Sequence, residues 1–250
     1  MAANTIDSFS NSIDEDIVWR KKEISNLMLI HDDEYSELIV KSLVLLVYSH
    51  WEGCVKNLCK EYLRYVSKQK ISISDLTDNY QAIALKGRIQ QMMDSQDSLT
   101  MSNELTVIEI MKGYTDKKFK IKLSDNDKTV INTQSNLNYD IFQSLLNIIG
   151  LREKSCLATK KQYLDEKLLK NRNKIAHGNK FISGYDEFDL DIESLKSIKD
   201  LIFVVIDSLA SDLKYYVENE LYLSENSDEI TEYNLESNEN LESSITNIDL

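Results

Sequence analysis

The chain has 250 residues, 42% hydrophobic and 28% charged, a globular composition long enough for one sizeable core or two small ones. No apolar run approaches the roughly 20 residues that span a bilayer, and no basic and apolar leader opens the sequence. Three cysteines without CxxC spacing and three histidines argue against a structural zinc site, so the expectation is no metal, no cofactor, no membrane and a reducing cytoplasm. The absence of proline and the presence of only six glycines favour long helices, because proline breaks helix interiors and glycine weakens them.

In chain order, the first predicted helix covers Ile13 to Ile30, with Ile17, Trp19, Leu27 and Met28 among its apolar positions. "HDDEYSEL" punctuates it, and His31 reads as a loop or cap residue. A longer helix is predicted from Ser36 to Lys70, apolar along Leu43, Leu46, Val47, Trp51, Cys54, Val55, Leu58, Tyr62 and Val66. Shorter helices are predicted over Gln81 to Met93 and Asn103 to Met111. The period then changes: Phe119, Ile121 and Leu123 alternate with lysines, "SDND" offers a turn and Val130 follows, which predicts a small β-hairpin. "SNLNYDIFQSLLNIIG" reads as a capped helix ending at Gly150. Another helix is predicted from Lys161 to His177, stopped by Gly178, and a last one from Ile192 to Leu221. The fold expected is an all-α antiparallel bundle with a small hairpin insertion, as a domain over residues 1–222.

The net charge of −13 is unevenly spread. From Glu218 to Leu250 there are ten acidic residues and no basic one, and residues 223–250 are expected to form a flexible acidic tail. That tail is either an inert solubilising segment or a polyanion competing for a basic surface. Arg152 to Lys180, in contrast, carries nine basic and three acidic residues. Its lysines, with Lys167, Lys170, Lys174 and Lys180 as candidate RNA-binding residues, form either a solvated face or an RNA-guiding one.

Within that basic stretch lies "RNKIAHG". At 100° per residue Asn173 and His177 share a face, with Arg172 on the neighbouring one. A histidine, a fixed cation and an amide suit RNA cleavage. The substrate brings its own 2′-hydroxyl nucleophile, a histidine moves protons near neutral pH and an arginine stabilises the charged phosphate. On spacing alone, a polar helix end with a surface salt bridge accounts for the same residues. Glu52 and Lys56 on the long helix are a second pair. They read either as an i,i+4 ion pair or as cleft-lining residues, and Gly53 beside them marks a close helix crossing or tight packing.

Arg172, Asn173 and His177 reproduce the R-N-x-x-x-H signature of the HEPN (higher eukaryotes and prokaryotes nucleotide-binding) superfamily, and the "AHG" ending resembles it too. "HWEGCVKNL" and "SNLNYDIFQSLLNIIGL" are similar to segments of stand-alone bacterial defence HEPN proteins, so the resemblance spans Ile13 to Leu221. It implies a helical bundle that dimerises to bring two motifs into one cleft. It also implies a metal-independent endoribonuclease of phage-defence or toxin–antitoxin type, with RNA as substrate and an antitoxin or defence-system protein as partner. Arg172 would contact the scissile phosphate, His177 would transfer protons and Asn173 would orient groups within the paired motifs. The alternative it implies is a noncatalytic module that binds nucleotides or scaffolds a partner.

Overall fold

The helix with the longest apolar stripe becomes the axis of the molecule. The structure is a computed structural model that describes residues 2–30, 36–94, 105, 108–109, 112–113, 116–178 and 190–248. Helix α1, Ala2–Met28, and α2, Ser36–Gln69, pack along each other. Helix α3, Asp78–Asp94, and α4, Tyr139–Ile148, follow. A π-helical stretch, Tyr163–Lys170, runs without a break into α5, Asn171–Ala176. Helix α6, Ile192–Glu218, and α7, Ser227–Thr246, close the chain.

α2 is central because its apolar residues nearly encircle it. Leu43, Val44, Val47, Val55, Leu58, Cys59, Leu63 and Val66 are fully buried, and α1, α5 and α6 pack around them. Each such side chain stabilises the fold by roughly 1.5–3 kcal/mol relative to exposure. Among the described residues α2 is the one helix long and apolar enough to cross a membrane, and here it is the core of the bundle.

Most predicted helices are present. α1 begins earlier than the pattern indicated, at Ala2. α4 starts where the Asn138 side chain accepts the Ile141 N–H at 2.8 Å, and α6 where the Asp191 carboxylate accepts the Ser194 N–H at 2.8 Å. The helix expected over 103–111 falls largely outside the described residues, as does His31.

Two expectations are corrected. The β-hairpin is absent: among the described residues there is no strand, only isolated bridges such as Ser72 with Lys118. The alternation of Phe119 and Leu123 does turn those side chains inward. The backbone, however, bonds to α2 side chains in place of a second strand. Ser67 Oγ accepts the Ile121 N–H, Arg64 donates to the Leu123 carbonyl, and Lys60 donates to those of Ser124 and Asp125. A segment whose polar groups are met this way needs no partner strand.

The flexible tail is corrected as well, because α7 lies on the bundle. Ile230, Asn234, Ser237, Leu241 and Ile245 are buried at helical spacing against α6 and the Ser155–Lys160 turn. Asn and Ser occupy two of these buried positions, so hydropathy alone hid the stripe. Both are hydrogen-bonded: Asn234 donates to the Tyr216 hydroxyl at 2.8 Å, and Ser237 joins the buried ion pair of Lys154 and Asp212, itself 2.7 Å long.

Candidate functional site

The motif sits where α5 meets α2 and the loop before α4. Arg172 is half-buried, its guanidinium 4.4 Å from the centre of the Tyr48 ring on α2. Its Nη1 donates to Asn173 Oδ1 at 2.6 Å, and Asn173 Nδ2 donates to Asn136 Oδ1 at 3.1 Å. Asn171, one residue earlier, is buried and donates to the Lys167 carbonyl at 2.7 Å. His177 is the C-cap, its N–H bonded to the Asn173 carbonyl at 3.0 Å and its imidazole exposed. Gly178 ends the helix at φ +70°, a left-handed value that suits glycine, and donates to the Ile175 carbonyl.

Leu164, Leu168 and Leu169 are buried along the stretch that leads into the motif, and Arg172 turns toward α2 while His177 is exposed. No hydrogen bond joins Arg172 to His177 within the chain.

Beneath the arginine, Tyr48 is buried and its hydroxyl accepts the Leu137 N–H at 2.6 Å. Burial, and then the nearby Glu52 carboxylate, push the phenol pKa well above its ordinary value, while Arg172 opposes. Tyr48 is thus a neutral phenol at any working pH. Glu52 accepts a hydrogen bond from the buried Thr133 hydroxyl. The Glu52–Lys56 ion pair read from spacing does not form; both are half-buried, and Lys56 acts with burial and Arg64 to lower the pKa of Lys60. Between Thr133 and Asn136 the chain takes two successive left-handed residues, Gln134 at φ 53° and Ser135 at φ 59°. Each costs roughly 1–2 kcal/mol, and the Asn132 side chain supports the turn by accepting the Gln134 N–H.

The other expected positions are more ordinary. Lys170 pairs with Glu166 at 3.2 Å, and Lys161 with Asp140 at 2.8 Å. Lys167 and Lys174 are half-buried on the motif helix, and Lys180 lies outside the described residues. Gly53 admits a neighbour: a Cβ there would stand 2.9 Å from Arg20 Nη1. Arg20 is bound to both Asp16 oxygens and lies 3.4 Å from His50 Nδ1, while His50 Nε2 is 2.6 Å from Glu23. Among the described residues no group of three or more His, Cys, Asp or Glu is gathered as metal ligands would be.

Sequence reasoning missed Tyr48, Thr133 and Asn136. The available signal was Tyr48 standing four residues before Glu52, which puts both on one face of the long helix.

Fold and motif together define a helical-bundle protein with an arginine–histidine pair at a helix end. A family model described as MAE_28990-like HEPN matches residues 9–222, and the chain belongs to the HEPN superfamily. No curated protein and no solved structure matches it. The matched stretch ends before α7.

Proposed function

We propose that the chain is a metal-independent endoribonuclease of the HEPN type, acting as a homodimer in bacterial phage defence or a toxin–antitoxin system in the cytoplasm. The observation that carries this reading is the placement of Arg172. Its guanidinium lies over the Tyr48 ring and one N–H is used by Asn173, so further N–H donors are left for phosphate oxygens. His177 is exposed at the helix end, where an RNA backbone reaches it.

In this mechanism the 2′-hydroxyl attacks the adjacent phosphorus as one His177 takes its proton. Arg172 stabilises the charge on the five-coordinate phosphate, and His177 of the second copy protonates the departing 5′-oxygen. The products are a 2′,3′-cyclic phosphate and a 5′-hydroxyl. Asn173 holds Arg172, and Lys167, Lys170 and Lys174 draw the backbone toward the motif. An antitoxin or defence partner would cover the same surface.

His177→Ala and Arg172→Ala are expected to lower RNA cleavage by about 10²–10⁴-fold with near-wild-type melting temperature, and Arg172→Lys to recover little, because a point charge does not replace a planar fork. Wild-type cleavage is expected to survive EDTA. Full activity in both alanine variants returns the motif to being a polar helix end, and a wild type that cleaves no RNA returns the chain to the reading of a noncatalytic binding module.

A further inference from the structure

The contacts around Arg172 close on themselves. The guanidinium lies over the Tyr48 ring at 4.4 Å and donates to Asn173. Asn173 donates to Asn136. Asn136 is joined by a peptide bond to Leu137, whose N–H donates to the Tyr48 hydroxyl at 2.6 Å. One tyrosine therefore holds the arginine twice, through its ring face directly and through its hydroxyl by way of the loop.

We propose that Tyr48 and Asn136 are positioning residues that fix the direction of the Arg172 guanidinium. For its activity readout this rests on the ribonuclease reading above. An arginine side chain has four rotatable bonds, and a cation aimed at a phosphate is effective only if its fork is held. The ring holds the guanidinium from beneath, and the Asn173–Asn136 link holds one of its N–H groups, so together they limit the directions in which the fork points. The loop that presents Asn136 is held for this purpose on both sides. Thr133 is anchored to Glu52 and Leu137 to Tyr48, two residues one turn apart on α2, while the left-handed pair Gln134 and Ser135 bends the chain between them. A left-handed pair without glycine persists only where its surroundings dictate it. Tyr48 is itself well placed for the role: it is buried, and its phenol stays neutral, so the ring face and the hydroxyl acceptor are constant across working pH.

The test separates positioning from catalysis. In ¹⁵N-labelled protein the Nε–H resonance of Arg172 is identified by its loss in Arg172→Lys. Tyr48→Leu is expected to abolish the ring-current displacement of that resonance. Tyr48→Phe should keep the displacement and move the Leu137 amide, and Asn136→Ala should move the Asn173 side-chain amide. In the same preparations kcat and kcat/KM for RNA are expected to fall together, by about 10²-fold in Tyr48→Leu and less in Tyr48→Phe, which keeps the ring. An Arg172 resonance unchanged in Tyr48→Leu, or wild-type cleavage by that variant, overturns the proposal. If Tyr48→Leu does not fold, Tyr48→Phe and the exposed Asn136→Ala decide, and no response of the Leu137 or Asn173 signals overturns it. A wild-type protein that cleaves no RNA removes the ribonuclease reading alone, since the resonances still report whether Tyr48 orients Arg172.

Discussion

His50 shows how a single ring can be read from its neighbours. It is buried on α2, and its Nδ1 faces Arg20, a group that only donates. Nδ1 is therefore the acceptor, and Nε2–H donates to Glu23. Burial lowers the pKa of His50 from its ordinary 6.5; the hydrogen bond to Glu23 opposes this, and the charge of Arg20 adds to it. The sign of the pH dependence follows. Below about 6.5 the unfolded chain binds a proton at this position that the folded chain resists, so the contribution is present above that pH and is lost as pH falls through it. The fall in melting temperature between pH 7.5 and 5.5 is expected to be smaller in His50→Gln than in the wild type. Equal slopes would mean that the folded ring takes up its proton as freely as the unfolded one.

α7 is an element whose stability rests on polar groups as much as on apolar ones. Lys154 and Asp212 are both buried, their side chains 4% and 1% exposed, and α7 seals them with Ser237 and Tyr233. Removing one partner leaves a charge without compensation in the interior. Asp212→Ala is expected to cost about 3–5 kcal/mol. Leu241→Ala, from the apolar part of the same contact, is expected to cost about 2–5 kcal/mol. Glu239→Gln, on the exposed face, should leave the urea midpoint unchanged. Denaturation of the three variants distinguishes a docked helix from a loose tail, for which Leu241→Ala would be silent. The helix escaped the sequence reading because six acids and a run of Asn and Ser outweigh Ile230, Leu241 and Ile245 in any average, although the spacing of those residues was there to be read.

At the scale of the whole molecule, one copy supplies one Arg172 and one His177, and the two face different ways. On the proposed reading the particle is a two-fold dimer whose site uses His177 of both copies, and adding inactive His177→Ala to the wild type is expected to suppress cleavage, because a mixed dimer lacks one of the two proton-transfer groups. Light scattering that shows a strictly monomeric, active protein would overturn this. The bundle was largely legible in the sequence. α2, predicted from Ser36 to Lys70, runs from Ser36 to Gln69, because a strong period over many turns leaves few alternatives. The location of the motif at a helix end was legible too, from Gly178. What surrounds it was not. No local pattern says that Tyr48 lies under Arg172 or that Asn136 reaches Asn173, since both contacts join segments far apart in the chain.

The π-helical stretch Tyr163–Lys170 carries a consequence for how the motif is aimed. Such a segment spends more residues on each turn than ordinary winding does, so rewinding it as α-helix with no residue lost would swing everything downstream around the axis. A chain rewound in that way would still spell "RNKIAHG" letter for letter, yet its arginine would no longer face the tyrosine beneath it. The winding upstream of the motif is as much a part of the motif as its letters.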